Sequence, residues 1–83
     1  MSYNIAFKSS VSRDLKKIRK DQVEKILNKI EKDLPYKADS FPSLTGNFAG
    51  LRKFRIGDYR IIYTIINDTA LVLRISHRRK SYR

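Results

Sequence analysis

The chain predicts an α+β fold: an N-terminal strand, a helical hairpin, then a three-stranded antiparallel meander, with the helices packed on one face of the sheet. Three observations predict it. Apolar residues recur at helical spacing from Val11 to Leu34, and β-branched and aromatic residues dominate from Leu51 to His77. The dipeptides Gly57-Asp58 and Asn67-Asp68 divide that second stretch at places suited to two-residue hairpin turns. At 83 residues the chain, 1–83, is read as one domain, because a unit this small has no material for a second core.

Tyr3, Ile5 and Phe7 alternate with Asn4 and Ala6, the pattern of a short strand with one buried face. Ser9 or Ser10 is placed to cap a helix in which Val11, Leu15 and Ile18 recur at i, i+4 and i+7. Asp21 with Glu24 resembles a capping box for a second helix, whose stripe is Val23, Ile26, Leu27, Ile30 and Leu34 and whose end is expected at Leu34-Pro35. The two helices would join near Lys20-Asp21. Residues 35–50 hold both prolines and two of the three glycines, and read as a packed loop anchored by Phe41, Leu44 and Phe48. Leu51–Ile56, Tyr59–Ile66 and Thr69–His77 are the meander strands.

Charge directs the functional reading. Nineteen Lys and Arg stand against eight Asp and Glu, a net +11, where a small soluble domain usually carries a magnitude of about 2–8. Residues 49–83 hold nine basic and two acidic side chains, so the C-terminal part is the basic pole. A polyanionic partner is implied. With no cysteine and one histidine, a disulfide framework, a thiol nucleophile and an ordinary zinc site are excluded, so metal-free chemistry with no cofactor is expected. Nothing at the N-terminus resembles a signal sequence and no apolar run approaches the ~20 residues of a membrane span, so a cytoplasmic protein without a membrane partner is expected.

A two-residue turn at Gly57-Asp58 pairs Arg55 with Arg60 and Lys53 with Ile62, and so places Lys53, Arg55 and Arg60 on one face. Two unit charges about 5 Å apart repel by roughly 3 kcal/mol at an effective dielectric near 20, so the trio is a seat for an anion such as phosphate. A two-residue turn at Asn67-Asp68 would set Arg60 opposite Ile75 and Tyr59 opposite Ser76, bringing the start of His77–Arg83 beside the trio. Tyr59 and Tyr63 fall on the opposite face with Ile61 and Ile65, as core. Arg74 is expected on the face of Phe54 and Ile61, in a structural ion pair. Lys8, Arg13, Lys16, Lys17, Arg19 and Lys20 read as the solvated side of a helix. Tyr82 follows the last strand in a charged tail, where a base can stack on its ring. These groups meet the needs of RNA cleavage by an internal 2′-hydroxyl: a proton acceptor, cations for the phosphorane, and a donor for the leaving 5′-oxygen.

The chain resembles the RelE/ParE superfamily of type II toxins, and within it the RelE branch. The resemblance rests on Leu44-Thr45-Gly46, on the segment from Gly50 to Tyr63 with its Gly57-Asp58-Tyr59-Arg60, and on His77-Arg78-Arg79-Lys80-Ser81-Tyr82. It implies a ribosome-dependent, metal-free endoribonuclease that cuts messenger RNA in the ribosomal A site and inhibits translation. It also implies rRNA contacts and a cognate acidic antitoxin, the pair assembling as a heterotetramer. The catalytic positions it implies are Lys53, Arg55, Arg60, a tail arginine and Tyr82. Arg78 is preferred over Arg79 for the tail arginine, His77 is a further candidate, and Arg52, Lys80 and Arg83 are candidate RNA-binding cations. Arg55 stands where RelE-like toxins often have lysine, and arginine is a poor base, which leaves Lys53 to accept the hydroxyl proton. Two other functions compete: a ParE-like inhibitor of DNA gyrase, and a non-catalytic RNA- or ribosome-binding module.

Overall fold

A computed structural model, which describes residues 2–44 and 50–77, contains β1 (Asn4–Phe7), α1 (Ser9–Lys16), α2 (Lys20–Lys37), β2 (Leu51–Ile56), β3 (Tyr59–Ile66) and β4 (Thr69–His77). The strands form one sheet in the order β1-β4-β3-β2. β2, β3 and β4 are the expected antiparallel meander, but β1 lies parallel to β4, from Asn4 opposite Thr69 to Phe7 opposite Val72. The sheet is therefore mixed. α1, α2 and the loop carry the chain from the β1 edge to the β2 edge.

The helices bury Val11, Ile26, Ile30 and Leu34 against Phe54, Ile61, Tyr63, Ala70, Val72 and Ile75 of the sheet. Each large side chain so buried stabilises the fold by about 1.5–3 kcal/mol. Phe41 stacks on Phe54 at 4.7 Å, and the Tyr63 hydroxyl donates to the Ala38 carbonyl, so the segment after α2 is tied to the same core. Leu44 is half-buried and its N–H donates to Leu51 O, whereas Phe48, the third expected anchor, lies outside the described residues. Phe7, expected on the buried face of its strand, is exposed. Among the described residues no helix is long and apolar enough to cross a membrane.

Helix ends depart from the expected signals. The residue capping α1 is Lys8, which makes no side-chain cap bond; Ser9 and Ser10 lie in the first turn, and Ser10 Oγ donates to Leu73 O at 2.7 Å instead. α2 starts at Lys20 after Arg19, so Asp21 sits inside the first turn, where its charge suits the positive end of the helix, and the joint is at residues 17–19. Pro35 does not end α2, which runs on to Lys37. Proline removes one donor and crowds the carbonyl four residues back, but so near the C-terminus the burial of Leu34 and Ala38 outweighs one lost bond. The Pro35 carbonyl accepts Tyr3 N–H at 2.7 Å, which fastens the start of β1 to the end of α2.

Candidate functional site

Strand pairing builds the site. Across β2 and β3 the register is Arg55 opposite Arg60 and Lys53 opposite Ile62, as the turn at Gly57-Asp58 requires. Phe54, Ile61 and Tyr63 point to the helices, and alternation turns Lys53, Arg55 and Arg60 to the other face. Side chains directly opposite stand about 4.5–5.5 Å apart at Cβ and diagonal neighbours about 7–8 Å, so the three cations share one patch. Arg55 is exposed, whereas Lys53 and Arg60 are half-buried and Arg60 Nε is shielded from solvent. Among the described residues no carboxylate lies within ion-pair distance of Lys53 or Arg55. An anion entering the patch gains from all three charges and relieves their repulsion.

The second hairpin differs from expectation by one residue. Ile66 pairs with Thr69 and Tyr63 with Val72 as a two-residue turn demands, but the register shifts between Ile62 and Tyr63, so that Ile62 faces Arg74 and Leu73 is the extra residue of a β-bulge. Beyond the bulge Arg60 faces Ser76, not Ile75, and Tyr59 faces His77, not Ser76. Ile75 thereby reaches the core. Arg74 moves to the face of the cations rather than that of Phe54 and Ile61. Two rows then cross this face: Arg55, Arg60 and Ser76, and beside it Lys53, Ile62 and Arg74.

His77 is not gathered with the trio. Its ring meets that of Tyr59 edge-on at 5.4 Å, on the opposite side of the sheet. Arg52 is also separate, since its Nη1 donates to the carbonyls of Phe41 (2.7 Å) and Asp39 (3.2 Å), holding the segment after α2 against β2. Arg78, Arg79, Lys80, Tyr82 and Arg83 lie outside the described residues.

Sequence reading missed Asp14. This carboxylate is buried in α1 and accepts from Arg74 Nε (3.0 Å), Arg74 Nη2 (3.2 Å) and Ile75 N–H (2.9 Å). Such a bidentate, charge-assisted pair has stronger hydrogen bonds than neutral groups make. The expected ion pair of Arg74 is thus present, reached around the edge of β4. A signal existed: Asp14 is the one acidic residue among the first twenty, and it lies in the apolar stripe of Val11, Leu15 and Ile18.

Residues 5–82 match the family model described as the ParE toxin of the type II toxin–antitoxin system, parDE. The chain belongs to this family of type II toxins, within the RelE/ParE superfamily. The toxin is similar to a chain of the RelBE2 toxin–antitoxin complex of Mycobacterium tuberculosis, with 27% identity and a TM-score of 0.86 over 94% of this chain and 100% of that one. It is also similar to a chain of the archaeal RelE–RelB complex of Pyrococcus horikoshii, at 25% identity and a TM-score of 0.72 over 94% and 97%. A mutant E. coli toxin RelE, solved with an antitoxin peptide, shares the fold at 19% identity and a TM-score of 0.60, over 99% of this chain and 92% of that one. No curated protein sequence matches the toxin.

Proposed function

We propose that this toxin is a metal-free, ribosome-dependent endoribonuclease that cleaves messenger RNA in the ribosomal A site and so inhibits translation in the cytoplasm. The observation that carries the reading is the pairing of Arg55 with Arg60, with Lys53 beside them, on the sheet face turned away from the helices. A phosphodiester seated there undergoes attack by its neighbouring 2′-oxygen. The 2′-O–P bond forms as the P–O5′ bond breaks, leaving a 2′,3′-cyclic phosphate and a 5′-hydroxyl. Arg55 and Arg60 stabilise the phosphorane charge, Lys53 takes the 2′-hydroxyl proton, and Arg78 or Arg79 donates to the leaving oxygen. Tyr82 stacks on a base, and Lys80 and Arg83 hold the RNA backbone. An acidic antitoxin, assembling with the toxin as a heterotetramer, would neutralise the same basic pole.

The family model favours a second reading, because it is that of ParE: a protein-binding inhibitor of DNA gyrase on the same fold. Primer extension on messages translated in a cell-free system separates the two. Codon-positioned cuts by the wild type, lost in Arg60→Ala and Tyr82→Ala, are expected. In Lys53→Arg the charge persists without a usable base, so the cleavage rate is expected to fall while RNA binding is kept. Loss of gyrase supercoiling without cuts would install the second reading, and RNA binding without either effect would leave a non-catalytic binder.

A further inference from the structure

β1 accompanies β4 only as far as Val72, so from Leu73 onward the outer edge of β4 has no strand beside it. Exposed edge groups would be left to water, and the strand end would be free to fray. α1 replaces the missing strand. Lys8 N–H donates to Val72 O at 2.9 Å, Ser10 Oγ to Leu73 O at 2.7 Å, and the Asp14 carboxylate accepts Ile75 N–H at 2.9 Å. Ser10 and Asp14 are four residues apart and therefore on one helix face. The same carboxylate grips Arg74 through two nitrogens, so one buried group holds the backbone of one residue and the side chain of its neighbour.

We infer that Asp14 is a positioning residue for the reaction proposed above, clamping the end of β4 so that Ser76 stays opposite Arg60 and the chain beyond His77 departs from one fixed place. The inference rests on that proposed reaction. Asp14 acts through the groups it bonds, the Arg74 guanidinium and the Ile75 N–H. Two features give the clamp a purpose beyond stability. It lies past the bulge, on the strand end whose register sets Ser76 against Arg60. The tail residues Arg78, Arg79 and Tyr82 also follow that end directly in sequence. A loosened clamp misplaces reacting groups even where toxin and ribosome still associate.

Single-turnover cleavage on programmed ribosomes, well below the unfolding temperature, tests this with Asp14→Asn, Asp14→Glu and a mild core variant, Ile30→Val. Displacing reacting groups by about 1 Å can cost about a hundredfold, so Asp14→Asn is expected to lower the rate at saturating toxin roughly ten- to a hundredfold. The half-saturating concentration should change little, Asp14→Glu should recover most of the rate, and Ile30→Val should cleave as the wild type does. An Asp14→Asn rate equal to wild type overturns the inference, as does an equal loss in Ile30→Val. If Asp14→Asn does not fold, Ser10→Ala removes another bond of the clamp and is judged by the same split, a wild-type rate overturning the inference. If wild-type toxin cuts nothing, the proposed activity fails, and amide exchange of Ile75, Ser76 and His77 in Asp14→Asn judges the clamp. Faster exchange there supports it, and unchanged exchange overturns it.

Discussion

Tyr63 shows how one side chain ties the sheet to the segment that follows α2. It is fully buried, its ring meets Phe54 edge-on at 5.9 Å, and its hydroxyl donates to the Ala38 carbonyl. Burial pushes its phenol from 10.0 up to about 12, against a smaller opposing pull from Arg52. The folded state therefore favours the neutral phenol more than the unfolded chain does. That stabilisation is fully present below pH 10, and is lost as pH rises from there towards 12. Wild-type protein is expected to lose up to roughly 2 kcal/mol more than Tyr63→Phe over that interval. Near neutrality the order reverses, since the variant leaves a buried carbonyl short of its donor, at about 1 kcal/mol. Urea unfolding of both proteins at pH 8, 10 and 11.5 measures the difference; parallel declines would mean that Tyr63 does not titrate with the fold. Tyr63 was legible as core because strand alternation with Ile61 leaves no other face for it. Arg52 was not, because the carbonyls of Asp39 and Phe41 that capture it come from a segment whose path no local pattern specifies.

At the scale of elements, the turn between β2 and β3 decides whether the cations meet. Gly57 takes φ 58° while Asp58 does not share the positive region, the pattern of a II′ hairpin turn with glycine at its first central position. A Cβ built there meets nothing within 4 Å, so Gly57→Ala costs only backbone strain, about 1–3 kcal/mol. For a domain of this size each kcal/mol lowers Tm by about 4–8 °C. Calorimetry of the variant should show that drop, and an unchanged Tm would mean that the turn does not take this form. Asn67 takes φ 55° at the second turn, a region asparagine tolerates better than most residues. Both turns, all three meander spans and the first register were readable because β-branched runs and short breakers are local signals. The bulge at Leu73 was not, since Leu71-Val72-Leu73 is an even apolar run, and the shift appears only when Ile75 must reach the core and α1 must cover the open edge. The parallel pairing of β1 is equally non-local.

For the molecule as a whole, the net charge of +11 is divided between two regions with different duties. Lys16, Lys17 and Lys20 are exposed at the end of α1 and the start of α2, each free to be hydrated alone. Lys53, Arg55 and Arg60 are forced together by the register. Dispersed cations attract a polyanion by long-range field, whereas cations fixed in one patch release counterions where phosphate docks. The two contributions separate in the salt dependence. For single-stranded RNA, log K falls with log salt at about 0.7 per phosphate contact. Replacing Lys53, Arg55 and Arg60 by glutamine should therefore lower the slope by about 2 and abolish cleavage. The same replacement at Lys16, Lys17 and Lys20 should change the slope by less than about 0.7 and leave cleavage intact. Fluorescence anisotropy with a short labelled RNA, between about 50 and 200 mM salt, reads both slopes. A helix variant that loses as much slope as the sheet variant would move the RNA to the helical side. The sheet cations would then be explained only by an acidic protein partner, whose affinity should fall with salt in the same way.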